Sequence, residues 1–199
     1  NPRERPAWDA AVQQIATDPS VTEVIRSGGD PLTLVDESLE KLSDALATIP
    51  HVRRLRVHSR LPIMIPSRIN ASLLSWLSGG PWAPIMVIHA NHARELDDDV
   101  AAACDRMRRS GVTLINHAVL LRGLNDSVEA QCELSERLID IGVVPYYLHQ
   151  LDRVVGAAHF EIDIDKGRAL IESLRKRLPG YAVPRYVQEI AGAPAKTPL

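Results

Sequence analysis

The chain has 199 residues, 45% of them hydrophobic, which is enough for one globular core. Lys and Arg total 23 against 25 Asp and Glu, a formal net charge of -2, so no basic excess points to nucleic acid and no acidic run to a solvating tail. Cys104 and Cys132 are too few for a disulfide scaffold and fit a reducing cytoplasm, the expected location; no signal peptide is visible, and no apolar run reaches the ~18 residues of a membrane span.

In chain order, β-branched apolar runs at 21–25, 52–57, 85–88, 112–119 and 143–148 predict five strands. Between them, "DESLEKLSDALATI", "NASLLSWL", "DDDVAAACDRMRRSG" and "DSVEAQCELSERLIDIG" carry helical spacing. Asp36, Asn70, Asp97 and Asp126 are candidate N-caps, and Gly111 and Gly142 stand where helices end. Strand centres recur about every 30 residues, the length of a βα unit. The pattern predicts an α/β fold with a parallel sheet, barrel-like or doubly wound.

Each predicted strand ends in a polar cluster: "SGGDP", "HSRLP", "HANH", "NHAVLL" and "LHQLD". Chemistry in βα barrels collects at those ends, so five decorated ends favour a barrel or part of one. In "VIRSGGDPLTL" the glycine pair lets backbone approach a ligand, and Asp30 can receive an ammonium; a tight strand-to-helix turn is the plainer reading. His58, His89, His92, His117 and His149 fall on one rim and suit either a divalent metal or phosphate and carboxylate groups. Arg60 and Arg68 suit anions or surface ion pairs. Asp152 either receives a cation or caps a turn, and His159 and Phe160 read as packing residues. Glu189 and Lys196 lie in a tail of small residues; a reactive Lys needs desolvation or a neighbouring cation.

Taken together, "SGGDPL", "RVHSRLPIMIPSRI", "NHAVLLRGLND", "PYYLHQLDRVVGAAHF" and "GYAVPRYVQEIAGAPAKTPL" resemble the lysine 2,3-aminomutase family, in order and from about Trp8 to Leu199. "LDRVVGAAHF" and "EIAGAPAKTPL" look most like the branch that makes β-lysine for modification of elongation factor P. The resemblance implies a partial (βα)6-type radical S-adenosylmethionine barrel, with about five βα units over 1–180, and a C-terminal pyridoxal-phosphate lysine segment over 181–199. It implies an isomerase that moves the α-amino group of L-lysine to the β-carbon, using S-adenosylmethionine, pyridoxal 5'-phosphate and a [4Fe-4S] cluster.

By the same resemblance, Lys196 matches the lysine that carries pyridoxal phosphate. Asp152 and Glu189 match two acids that receive the substrate's distal ammonium, an arrangement suited to lysine and unsuited to glutamate. Ser27, Gly28, Gly29 and Asp30 match a stretch that contacts the methionine end of S-adenosylmethionine, with Ser59, Arg60 and His89 beside the same cofactor. His117 and His149 lie where relatives place Gln and Tyr near the pyridoxal phosphate group. The implied partners are L-lysine, a ligase acting on elongation factor P, and further copies of the chain; neither nucleic acid nor membrane is expected.

One departure matters. The family's cluster motif, C-x3-C-x2-C, does not occur, and Cys104 and Cys132 sit in helical segments. The cluster ligands are expected upstream of Asn1, and the chain alone is expected to be inactive. Three other readings stay open: an aminomutase of free-lysine catabolism, a metal-dependent barrel hydrolase using the rim histidines, and a non-catalytic remnant that binds pyridoxal phosphate.

Overall fold

The computed structural model describes residues 5–152, 154–193 and 195–199; Arg153 and Pro194, inside two of the quoted motifs, lie outside them. The chain divides into two compact units, one of residues 1–88 and 102–114, the other of 89–101 and 115–199.

The first unit opens with helix α1 (Arg5–Thr17) and strand β1 (Glu23–Arg26). A 3-10 turn (Pro31–Thr33) leads into α2 (Asp36–Ala47), followed by β2 (Arg54–Ser59). Then come the short α3 (Leu61–Met64), α4 (Ala71–Ser78) and β3 (Ala83–Ile88). β2 pairs in parallel with both neighbours, Glu23 opposite Arg54 and Arg54 opposite Ala83. Leu55, Val57 and Ser59 are buried on one face of β2, while Arg54, Arg56 and His58 stand half-buried on the other. That alternation departs from the apolar run expected of a sheet covered on both faces: one face meets the helical core and the other is polar.

Helix α5 (Asp98–Arg109) and strand β4 (Thr113–Val119) each contribute to both units. The second unit continues with α6 (Val128–Asp140), β5 (Val144–His149) and α7 (Ile164–Arg175). It ends with β6 (Arg185–Gln188) and the two-residue β7 (Thr197–Pro198). β4, β5 and β6 are parallel neighbours, and β7 returns antiparallel to β6. Leu138, Val143, Leu148, Leu174 and Val187 supply much of its core. Among the described residues, no helix is long and apolar enough to cross a membrane.

Local signals explain most boundaries. Asn70 caps α4 by accepting from the Leu73 N–H at 2.8 Å, and Asp97 accepts from Val100 N–H at 2.9 Å. Gly111 and Gly142 both adopt positive φ at helix ends. Two expected caps differ. Asp36 is the first residue of α2, and its carboxylate is taken by Arg68 at 2.7 Å, with Trp76 Nε1 at 3.1 Å. Asp126 accepts from Gly123 N–H, leaving Ser127 to cap α6.

Arg26, at the end of β1, is 6% exposed. Its Nη2 donates to Leu39 O at 3.2 Å and Ser43 Oγ at 2.9 Å, and its guanidinium lies 5.0 Å from the Trp76 ring. Nε and Nη1 are buried without a partner among the described residues, and burial lowers its pKa to about 10. A buried cation without a carboxylate is costly, and Leu39 O keeps a donor in Ser43 Oγ when the arginine is removed. Arg26→Met is therefore expected to stabilise the protein by about 1–3 kcal/mol, read as a higher midpoint in urea; a lower midpoint would show that the two bonds and the Trp76 contact outweigh the buried charge.

Candidate functional site

The first unit gathers the residues of "SGGDP" and "HSRLP". β1 ends at Arg26, and Gly28 and Gly29 follow with φ of 89° and 74°, a region in which other residues are strained. A side chain added at Gly28 would meet nothing within 4 Å, so its backbone faces open space. Asp30 turns the other way. One carboxylate oxygen accepts from Leu32 N–H at 3.0 Å and Ser59 Oγ at 2.7 Å; the other accepts from Arg60 N–H at 2.7 Å. Ser59 Oγ also accepts from Leu61 N–H at 3.0 Å. The acid thus brackets the ends of β1 and β2, and Ser59 and Arg60 meet it through a hydroxyl and a backbone amide.

Beside the glycine pair lies a cavity of about 420 Å³, walled by Trp8, Val12 and Ile15 of α1 and Leu39, Leu42 and Leu46 of α2. Arg68 is structural: besides Asp36, it donates to Leu32 O and Leu34 O.

The second unit gathers the other expected residues. Asn116, beside His117, holds the loop after β3: its Oδ1 accepts from Ala90 N–H at 2.9 Å and its Nδ2 donates to Ala90 O at 3.0 Å. Asn125 is fully buried, and its Nδ2 donates to Asn91 O at 2.8 Å and Val119 O at 2.9 Å. Asn91 Oδ1 in turn accepts from Val119 N–H at 2.8 Å. These asparagines are the site-shaping residues that the sequence reading missed.

Held this way, His89 and His117 stand edge to face, with ring centroids 5.6 Å apart. His149 lies 5.0 Å from His117, Tyr147 lies 5.1 Å from it, and Tyr146 stacks on it at 5.8 Å. A register shift explains the crowding. Asn116 pairs with Pro145 but His117 pairs with Tyr147, so Tyr146 is an extra residue in β5. Such a bulge re-aims side chains, and here Tyr146 and Tyr147 share a hydroxyl hydrogen bond of 3.1 Å.

Two histidines, one of the rim and one read as a packing residue, stay apart from this cluster. His92 caps the turn Ala93–Glu95, its Nδ1 accepting from Arg94 N–H at 3.1 Å. His159 packs on Phe160 at 4.0 Å. Among the described residues, no three His, Cys, Asp or Glu side chains form a metal-binding group, so the hydrolase reading finds no ligand set there.

The β6–β7 pairing was not expected, and it sets the charged part of the site. Gln188 faces Thr197 across the antiparallel pair, so the next residues along, Glu189 and Lys196, meet. Lys196 Nζ donates to Glu189 Oε2 at 2.6 Å. That bond holds the Glu189 carboxyl below its usual range. Burial, with the positive charge of Lys196 acting in the same sense, lowers the His149 pKa to about 4. His149 is neutral at pH 7. Asp152 lies on the loop after β5, facing a cavity of about 310 Å³ with Val154, Val155, Ala158 and Glu161; no bond joins it to Glu189 among the described residues.

The His149 shift has a definite sign. The folded protein resists the proton that an unfolded histidine accepts near pH 6.5, so this contribution is fully present above pH 6.5 and is lost as pH falls toward about 4. His149→Gln is expected to flatten that part of the stability–pH profile, measured by urea unfolding between pH 7 and 4. An unchanged slope would place the acid sensitivity elsewhere.

No family model matches the chain. The L-lysine 2,3-aminomutase of Escherichia coli (strain K12) is 46% identical over 192 residues, covering 96% of this chain and 56% of that protein. The Haemophilus influenzae protein of the same name is 42% identical over 197 residues (99% and 58%), and that of Clostridium subterminale 40% over 192 (96% and 46%). The chain therefore spans about half the length of these relatives. Among solved structures, Streptococcus suis SuiB bound to S-adenosylmethionine aligns at TM-score 0.68 and 15% identity, covering 96% of this chain and 45% of that one. A radical SAM methyltransferase from Sphaerobacter thermophilus aligns at 0.57 and 17%, over 83% and 51%. The α/β architecture is thus that of a partial radical SAM barrel, and over the stretch it shares with them the chain is a homologue of the lysine 2,3-aminomutases.

Proposed function

We propose that the protein is a radical S-adenosylmethionine aminomutase that converts L-lysine to β-lysine. The observation that carries this reading is the 46% identity to an L-lysine 2,3-aminomutase over nearly the whole chain. The reaction is an isomerisation: the amino group moves from the α- to the β-carbon, a hydrogen moves the other way, and nothing is oxidised overall. S-adenosylmethionine on a [4Fe-4S] cluster supplies the initiating radical, and pyridoxal phosphate supplies delocalisation for the migrating nitrogen. The sequence has no C-x3-C-x2-C, so on this reading the cluster would take its ligands from elsewhere, and the 199 residues alone are proposed to be inactive.

The chain's own residues fit parts of that chemistry. Lys196 is partly exposed and carries the primary amine that a covalent cofactor anchor needs. A neutral His149 offers an N–H to a phosphate without adding a cation to the site, and His117 lies against it. Open backbone at Gly28 suits close approach of S-adenosylmethionine, with Ser27 and Gly29 beside it, Ser59 and Arg60 at the next strand end, and His89 at the β3 end. Asp30 would act there chiefly by fixing the loop, since its oxygens already accept from the chain.

Glu189 already receives an ammonium, that of Lys196, which is the task assigned to it and Asp152 for the substrate's distal end. We place the protein in the elongation factor P branch on "LDRVVGAAHF" and "EIAGAPAKTPL", with a ligase acting on that factor as the user of the product, in the cytoplasm and as a homo-oligomer. On this reading residues 181–199 form the cofactor-lysine segment and 1–180 the barrel part.

The test uses full-length protein prepared without oxygen. Borohydride should trap pyridoxal phosphate on Lys196, and Lys196→Ala should lose the adduct. Glu189→Gln and Asp152→Asn should each weaken lysine binding at least tenfold, about 1.4 kcal/mol, in calorimetry. A trapped adduct on another lysine, or undiminished affinity in both acid variants, overturns the assignment.

A further inference from the structure

Gln150, between His149 and Asp152, is 4% exposed and makes three bonds. Its backbone N–H donates to Val187 O at 2.8 Å, keeping β5 in register with β6 one residue past the strand's end. Its Nε2 donates to Ile162 O at 2.8 Å, closing the loop that carries Asp152 back onto its own starting point. Its Oε1 accepts a hydrogen bond from the Tyr186 hydroxyl on β6. Tyr186 is also 4% exposed, and burial raises its pKa to about 12, so the hydroxyl remains a donor.

A third residue makes room for this bond. Gly167 lies inside α7, where glycine is the poorest helix former after proline. A side chain there would sit 2.2 Å from the Tyr186 hydroxyl and 2.3 Å from the ring carbon bearing it. Its φ is not in the left-handed region, so backbone conformation gives no reason for glycine. Space for the tyrosine does.

We infer that Gln150, Tyr186 and Gly167 form a brace that positions the two ammonium-receiving acids, and that the brace is a determinant of specificity for a substrate with a distal cation. The inference rests on the proposed roles of Asp152 and Glu189. Asp152 is two residues past Gln150, and Glu189 is three past Tyr186. The buried bond therefore crosslinks the two backbones just before each carries its acid. Neither Gln150 nor Tyr186 touches the substrate; both act through the acids as positioning residues. A buried amide oxygen deprived of its donor finds another by shifting, and the loop that begins at Leu151 shifts with it.

The readout is the ratio of affinities for L-lysine and L-norleucine, which has the same carbon chain but lacks the distal amino group and ends in a methyl group. Both are titrated by calorimetry into full-length protein loaded with pyridoxal phosphate. Tyr186→Phe should lower the ratio about tenfold through lysine alone, with norleucine affinity retained. Gly167→Ala, which displaces the hydroxyl, should do the same. Gly167→Ala with Tyr186→Leu should recover the thermal midpoint lost by Gly167→Ala but not the ratio, and it covers the case in which a single variant fails to fold. A ratio that survives in folded variants overturns the brace alone, and so does an equal loss of both affinities, which marks a merely structural role. Absence of any lysine preference in the unaltered protein overturns instead the reading of the two acids.

Discussion

Asn116 pairs its side-chain amide with both polar groups of the Ala90 backbone, and the arrangement of the second unit's site depends on that double bond. Strands in a parallel sheet return through helices, so no hairpin ties the loops at their ends to one another. Short polar side chains take over that task. His89 precedes Ala90 and His117 follows Asn116, so fixing one backbone against the other also fixes the two rings edge to face. Asn125 and Asn91 repeat the device a few residues on, and Gln150 repeats it between β5 and β6. Each amide can donate and accept at once through two separate atoms, which an ionised carboxylate cannot do. Histidines on such a frame need no metal to hold them together.

The charges follow from the same frame. β7 is only two residues long, yet its antiparallel register determines which residue faces Glu189. With Lys196 opposite, one cation meets one anion, and the neighbouring imidazole stays neutral because burial and the nearby ammonium both oppose its protonation. A charged His149 would leave two cations sharing Glu189. The neutral form keeps the acid available to a single ammonium at a time, which suits a site proposed to exchange one amine for another.

Five strands and four helices were legible because their periods are long and regular; Asn70, Asp97, Gly111 and Gly142 marked ends through side chains or φ values that act locally. The remainder was hidden for identifiable reasons. β6 has four residues, and the tail after it is rich in small residues, so neither showed a period. Asn116 bonds to a residue 26 positions away, and a sequence reading credits asparagine with caps and turns, not with distant backbone. The rim histidines drew the attention instead: three share a cluster, whereas His92 only caps a turn. Asp36 was read as a cap because the partner that claims it, Arg68, lies 32 residues on.

The glycine–acid motif shows how residues written side by side divide their work. Gly28 leaves backbone facing open space, whereas Asp30, two residues on, is drawn inward by two backbone amides and a hydroxyl. An acid so engaged has little capacity left for a ligand's ammonium; what it provides is a loop whose glycines cannot swing away from the end of β2. Close approach of a ligand to backbone requires that backbone to be rigid, or the ordering of the loop would be charged against binding. The bonds that Asp30 makes are those of a turn residue.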